Sequence, residues 1–89
     1  MVDVRLDNWL RRYGSPAKDR VDARTVQQLI EVLEGRYPGL RLKLRDETGS
    51  LRPYVRVFVD GEDVSGTTAT ATPLDGARTI DILHSIAGG

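Results

Sequence analysis

Apolar and polar residues alternate near both ends of the chain and recur with helical spacing between them. The first segment, Val2-Asp3-Val4-Arg5-Leu6, alternates with a period of two, which predicts a half-buried strand. The turn residues Gly14-Ser15-Pro16 follow. A polar run over residues 18–23 then provides a short strand that pairs back onto the first. The N-terminal part of the chain is therefore predicted to form a β-hairpin.

The most regular helical pattern begins at Thr25. This residue is typical of an N-cap, and Gln28 three positions later completes a capping-box pattern. The apolar residues that follow fall on one face of a helix: Val26, Leu29, Ile30, Leu33 and Tyr37. Pro38-Gly39 is expected to end the helix. The pattern predicts one main helix with a single buried face.

The second half of the chain returns to the period-two pattern of strands. The strongest strand is predicted over residues 54–60, with Val55, Val57 and Val59 on one face and Tyr54, Arg56 and Phe58 on the other. Asp60-Gly61 is a turn signal, so residues 62–64 are predicted to return as a short strand. A last strand follows Asp75-Gly76, and in it Ile80 and Ile82 alternate with their neighbours.

The pattern of apolar and polar residues does not decide the conformation of two connecting segments. Residues 40–44, LRLKL, alternate like a strand, but Leu40 and Leu44 also suit one turn of a helix. Residues 46–50 are predicted to be a loop. Residues 65–72, SGTTATAT, form a low-complexity connector.

The order of these elements, β-β-α-(short)-β-β-β, predicts an α+β fold. One helix can cover only one face of a sheet, so the other face is expected to remain open. A helix crossing a mixed sheet, with the terminal strand central, is the β-grasp or ubiquitin-like arrangement. We expect a domain over residues 1–83 and a flexible tail over residues 84–89, which would reach about 20 Å from the domain if extended.

The tail ends in Gly88-Gly89. Glycine has no Cβ, so an extended diglycine can enter a channel too narrow for any side chain. The terminal carboxylate of Gly89 can then be presented inside the active site of another protein. A chance glycine tail is the alternative explanation of this ending.

Composition narrows the possible functions. The chain has 89 residues, enough for one small domain, and its 13 basic and 13 acidic residues balance, so we expect neither nucleic acid nor a membrane as partner. It has no cysteine and one histidine, which excludes a Cys–His nucleophile pair and a multi-Cys/His zinc site. The first ten residues carry several charges, unlike a secretory leader. A soluble, cytoplasmic protein is expected.

The motifs together resemble those of the MoaD/ThiS family of ubiquitin-like sulfur-carrier proteins, and in particular its CysO-type members. The residues that carry the resemblance span nearly the whole chain: Val2–Leu6, the helix, LRPYVRVFVDGEDV at residues 51–64, TPLDG at residues 72–76, IDIL at residues 80–83 and the terminal AGG. The sequence has His84-Ser85 where the family often has proline, and we expect this difference to loosen the exit of the tail.

The resemblance implies a carrier protein that is not itself an enzyme and binds no cofactor. An E1-like adenylyltransferase of the ThiF/MoeB type would use ATP and Mg²⁺ to adenylate the Gly89 carboxylate. A sulfur donor protein or sulfide would then convert it to a thiocarboxylate, with Gly88 part of the reactive end. The sulfur would pass to a synthase making cysteine, molybdopterin, thiazole or a thio-containing natural product. A CysO-like role also implies a metalloprotease that releases the product.

Partner contacts are expected on the open face of the sheet and along the tail. Phe58 and Leu83 project from the face opposite Val57 and Ile82, where an exposed apolar pair indicates a docking patch. Arg56 is a candidate rim contact, and Ile86 and Ala87 are candidate tail contacts. The alternative for Phe58 is burial beneath a loop or beneath Trp9.

Two other functions remain open. The chain is a ubiquitin-like modifier if its activated Gly89 is joined to lysines of target proteins. It is a non-reactive β-grasp binding module if the diglycine has no chemical role.

Overall fold

The computed structural model describes residues 1–66 and 68–85 of the chain. Its sheet has five strands: β1 (Val2–Leu6), β2 (Lys18–Val21), β3 (Val55–Val59), β4 (Glu62–Asp63) and β5 (Thr79–His84). Their order across the sheet is β2-β1-β5-β3-β4. Strands β1 and β5 are parallel, whereas the other neighbours are antiparallel. The predicted central position of the last strand is confirmed.

In the described part of the chain, two α-helices accompany the sheet, α1 (Asn8–Arg11) and α2 (Val26–Arg36). Helix α2 is the predicted main helix and Thr25 is its N-cap, but the returning bond of the capping-box pattern goes to Arg24 rather than to Thr25. The Thr25 hydroxyl accepts a hydrogen bond from the Gln28 backbone N–H at 3.2 Å, and the Gln28 side chain accepts one from the Arg24 N–H at 2.9 Å. These bonds satisfy amides that have no partner within the helix.

The core lies between α2 and one face of the sheet. The face of α2 predicted from spacing is buried at Val26, Leu29, Ile30 and Leu33, while Tyr37 at its C-cap is half-buried. From the sheet, the alternating residues Val2, Val4, Leu6, Val57, Ile80 and Ile82 are all buried. One helix on one face of a mixed sheet is the predicted β-grasp architecture. None of the helices within residues 1–66 and 68–85 has the length and apolar character needed to cross a bilayer.

The hairpin between β3 and β4 forms as its turn residues predict. Val59 pairs with Glu62, which leaves Asp60-Gly61 as a two-residue loop. Both loop residues have positive φ, 49° for Asp60 and 86° for Gly61. A type I′ turn requires this conformation at both positions, and Asp-Gly adopts it readily.

Residues 40–44 adopt neither of the conformations that their pattern left open. A 3₁₀-helix over Pro38–Leu40 leads into turns, with Leu40 and Leu44 buried and Leu42 53% exposed at a φ of 61°. The chain passes so close to the end of α1 that a Cβ on Gly39 would lie 2.1 Å from the Tyr13 carbonyl oxygen. This tertiary contact, rather than local periodicity, shapes the segment.

Helix α1 was not predicted from the sequence. It has only four residues, too few for a helical period to appear in the apolar pattern. Asp7 caps it, because its side chain accepts a hydrogen bond from the Leu10 N–H at 3.2 Å. At the same end of the sheet, β5 extends through His84, one residue beyond the predicted domain limit.

Candidate functional site

The open face of the sheet carries the predicted docking residues. In the β3–β5 ladder, Arg56 lies opposite Leu83 and Phe58 lies opposite Asp81, so all four side chains share the face away from α2. Phe58 is half-buried and Leu83 is 38% exposed. The structure therefore brings Arg56, Phe58 and Leu83 together, as the alternation predicts. Their contact with a partner stays a prediction.

Ion pairs occupy the rest of this face. They join Arg5 to Asp81 at 2.6 Å, Arg20 to Asp3 at 2.9 Å, and Arg56 to Asp63 at 2.9 Å. Because these pairs lie at the surface, water and salt screen them and they contribute little to stability. Two of them flank the apolar pair, because Asp63 and Asp81 are the cross-strand neighbours of Phe58 and Arg56 is that of Leu83.

Tyr54 departs from the prediction that it shares the open face. It precedes β3, so the alternation of the strand does not apply to it, and it packs against the core. Its ring lies 5.5 Å from that of Trp9 and 5.3 Å from that of His84. Trp9 also belongs to this core-side group, so it does not cover Phe58 in the way the alternative explanation required.

These rings form an aromatic group at the end of β5, here called the exit cluster: Trp9, Tyr13, Tyr54 and His84. The His84 imidazole stacks on the Trp9 indole with centroids 4.3 Å apart and planes only 14° from parallel. Tyr13 meets the edge of Trp9 at 5.2 Å, and the Lys43 ammonium lies 4.8 Å from the Tyr13 ring centroid. The exit cluster encloses the point where the chain leaves the sheet toward Gly89.

Backbone hydrogen bonds fasten the same point. The His84 N–H donates to a carboxylate oxygen of Asp7 at 2.6 Å, and the Ser85 N–H donates to the Tyr54 carbonyl at 2.6 Å. The other oxygen of Asp7 caps α1, so one carboxylate joins the helix to the terminal strand. Both His84 and Ser85 are held by direct contacts, so the chain is fastened up to Ser85. The expectation that these residues loosen the exit relative to proline stays a prediction.

No site role was predicted for Asp7, Tyr13 or Tyr54, and His84 was predicted only as the first residue of the tail. The one local signal was Asp7 before Asn8-Trp9-Leu10, the position of an N-cap. The contacts of Trp9 with Tyr54 and His84 join distant parts of the chain, so no periodic pattern in the sequence predicts them. Four predicted site residues, Ile86, Ala87, Gly88 and Gly89, lie outside the described residues. Within residues 1–66 and 68–85, no three His, Cys, Asp or Glu side chains are grouped to hold a metal.

Comparison with known families decides what class of protein this site belongs to. Residues 12–89 match the model of the ThiS family. The chain belongs to the ThiS family. This match begins just before Tyr13 and continues through Gly88-Gly89, so it includes β5 and the terminal residues together.

Individual relatives agree with this assignment. Small archaeal modifier protein 3 of Haloferax volcanii is 32% identical over 68 residues, which are 76% of this ThiS-family chain and 73% of that protein. Sulfur carrier protein CysO of Mycobacterium tuberculosis is 33% identical over 67 residues, covering 73% and 72% of the two chains. A chain in the crystal structure of the Amycolatopsis orientalis BexX/CysO complex has a TM-score of 0.80 and 31% identity, with full coverage of both chains.

These findings confirm the predicted resemblance and the β-grasp fold. The relatives are small carrier or modifier proteins, so the general role of the chain is that of a sulfur-carrier or ubiquitin-like protein.

Proposed function

We propose that this chain carries sulfur as a thiocarboxylate on Gly89, and that Gly89 bears the free C-terminal carboxylate in the working protein. The single observation that carries the proposal is the ThiS-family match through residue 89. The similarity to sulfur carrier protein CysO over about three-quarters of the chain supports the same proposal. The absence of cysteine adds a chemical reason, because the chain has no thiol on which to hold sulfur as a persulfide.

The reaction needs activation, because a carboxylate is a poor electrophile. In the proposed sequence, a Gly89 carboxylate oxygen attacks the α-phosphorus of ATP on an E1-like adenylyltransferase, and Mg²⁺-bound pyrophosphate leaves. Sulfide then attacks the carbonyl carbon of the acyl adenylate, the bond to AMP breaks, and a thiocarboxylate remains. One oxygen of the carboxylate departs with AMP and sulfur takes its place. ATP and Mg²⁺ belong to the enzyme in this scheme.

The described residues supply the surface for docking. Phe58 and Leu83 offer an apolar contact on the open face, with Arg56 at its rim. Binding there would bring the exit of β5 to the enzyme, because Leu83 belongs to the strand that ends at His84. The Amycolatopsis protein is a CysO in complex with BexX, and a comparable downstream partner for this chain is part of the proposal. Cysteine, molybdopterin, thiazole and thio-containing natural products remain the candidate destinations.

Protein modification is the second candidate function. It is favoured by the 32% identity to small archaeal modifier protein 3. The activation step would be shared, but the acyl adenylate would finally be captured by a lysine amine of another protein. The chain has two lysines of its own, Lys18 and Lys43, so it offers few acceptors for chain building.

The first experiment is intact-mass measurement of the chain after incubation with ATP, Mg²⁺, an E1-like adenylyltransferase and sulfide. We expect a gain equal to the replacement of one oxygen by sulfur. The control is the variant that lacks Gly89, which should gain nothing yet melt at the same temperature as the parent chain, because the buried core residues lie between Val2 and Ile82. Absence of the gain, with an enzyme active on its own carrier, would contradict the carrier function.

A second arm separates the carrier from the modifier. The same reaction is run in cell extract and probed for high-mass conjugates that contain the chain. Conjugates that depend on Gly89 would support modification, whereas a thiocarboxylate without conjugates would support sulfur transfer alone.

A further inference from the structure

The stack of His84 on Trp9 lies at the edge of the core, at the end of β5. The terminal strand already contributes Ile80 and Ile82, which are 0% and 1% exposed, while His84 and Trp9 are half-buried beyond them. Helix α1, which carries Trp9, has four residues and is too short to be stable without tertiary packing. Helix α1 is anchored in the core by Leu10, which is 1% exposed, and it places the Trp9 indole against His84 at the end of β5.

Resting on the proposed function, we propose that Trp9 and His84 are positioning residues: their stack holds the end of β5, from which the chain continues to the reactive Gly89. The adenylated atom belongs to Gly89, so neither residue takes part in the chemistry. Their role is to fix the origin of the reactive segment relative to the docking face.

The exit is held from three directions. On the β1 side, Asp7 accepts the His84 N–H; on the β3 side, Tyr54 accepts the Ser85 N–H. On the core side, the indole of Trp9 lies flat against the imidazole. Two hydrogen bonds in the plane of the sheet still allow the strand end to lift from that plane, and the stack opposes this movement.

A held exit shortens the segment that the enzyme must order. If the chain were released after Leu83, His84 and Ser85 would have to be ordered when the enzyme binds. Because both residues are already held, this cost does not arise. Each residue ordered on binding opposes association through lost backbone entropy, so a preorganised exit favours productive capture of Gly89.

The test compares His84→Ala with His84→Phe in the full chain. Alanine removes the ring, while phenylalanine keeps a flat ring that can stack on Trp9. We expect His84→Ala to lower kcat/KM for adenylation about tenfold, equivalent to freeing roughly one further residue of backbone. The loss should fall mainly on kcat, because the docking face is unchanged. His84→Phe should restore activity to within about twofold of the parent chain.

The matched control is Val32→Ala, which trims a half-buried side chain on α2 that packs against the core. It should lower the melting temperature without changing kcat, which separates positioning from general loss of stability. Parent-like kcat in a folded His84→Ala variant would overturn the proposal, as would failure of His84→Phe to restore it.

Amide hydrogen exchange provides a readout that does not depend on activation. In His84→Ala the Ser85 N–H should exchange about tenfold faster, while the amide of Ile80 keeps its protection. Unchanged exchange at Ser85 would show that the stack does not hold the exit and would overturn the proposal. The two proposals can also fail separately. If the parent chain gains no sulfur but His84→Ala speeds exchange at Ser85, the sulfur-carrier function is contradicted, whereas the conclusion that the stack holds the end of β5 is supported.

Discussion

The two faces of the sheet have the same strands but opposite chemistry. The face beneath α2 is mainly apolar, with Val4, Val57 and Ile80 fully buried. Its one charged member on β2, Asp19, bonds to Tyr37 and Arg36 at the end of α2. The open face carries exposed ion pairs around the half-buried Phe58 and the exposed Leu83. Burial of apolar area is the main source of stability, whereas exposed ion pairs contribute little. The fold is therefore maintained by one face, which leaves the other available for recognition.

The sharpest test of this contrast uses two neighbours in β5. Ile82 faces the core and is 1% exposed, whereas Leu83 faces the opposite way and is 38% exposed. Ile82→Ala should lower the free energy of unfolding by about 2–5 kcal/mol, because it leaves a cavity in a packed core. Leu83→Ala should change it by less than about 1 kcal/mol. Urea denaturation of both variants measures the difference. Equal losses in the free energy of unfolding would contradict the conclusion that only the face beneath α2 maintains the fold.

The next test asks whether the open face binds the activating enzyme. Phe58 has Asp63 and Asp81 as cross-strand neighbours, so an aspartate at position 58 would meet two like charges and disturb the sheet. Phe58→Ser avoids this repulsion. We expect it to stay folded and to raise KM for adenylation about tenfold, as loss of a buried aromatic contact does in protein interfaces.

Arg20→Gln is the matched control for Phe58→Ser. It removes an exposed charge from the same face but from the edge strand β2. We expect it to leave KM unchanged. If both variants raise KM alike, recognition is spread over the charges of the face rather than centred on Phe58 and Leu83.

The smallest expected effect concerns charge at the turn between β3 and β4. Backbone hydrogen bonds from Thr79 and Arg78 lower the pKa of the Asp60 carboxyl below its ordinary value. A carboxyl with a lowered folded pKa stabilises the fold above its unfolded pKa of about 3.9, and this contribution is lost as pH falls through the folded value. The contribution should thus be constant between about pH 5 and 7 and disappear on further acidification.

Asp60→Asn tests this assignment, because asparagine tolerates the positive φ and keeps an acceptor oxygen but cannot titrate. Stability measured by thermal melts should fall less steeply below about pH 4 in the variant than in the parent chain. An identical acid dependence would show that other carboxyls, such as Asp19 with its lowered pKa and its bond to Tyr37, account for it.

Features of the fold were predictable where the residues that specify them lie close together in the sequence. Helix α2 was predictable because its cap, its buried face and its stop occur within 15 residues. The Asp60-Gly61 hairpin was predictable because the turn itself demands positive φ. Helix α1 and the turns over residues 41–43 were not, because packing across Tyr13 and Gly39 decides their conformation.

The same distinction applies to the candidate site. Alternation along β3 and β5 was sufficient to place Phe58, Arg56 and Leu83 on one face. The exit cluster required the tertiary structure, since Trp9 and His84 meet only after the ends of the chain pair. The predicted roles of Ile86, Ala87, Gly88 and Gly89 come from the sequence and its family and lie beyond the described residues.

By itself, the sequence determined the main helix, the strongest strands, the family and the predicted reactive terminus. Each of these is specified by short motifs whose residues lie close together along the chain. The tertiary structure decided how the end of β5, which leads to that terminus, is held. Parallel pairing of β1 with β5 brings Asp7 to His84 across 77 positions of sequence, and the same pairing places the indole of Trp9 beneath the imidazole. Contacts of this kind depend on the closure of the whole sheet, so no local pattern of apolar and polar residues specifies them.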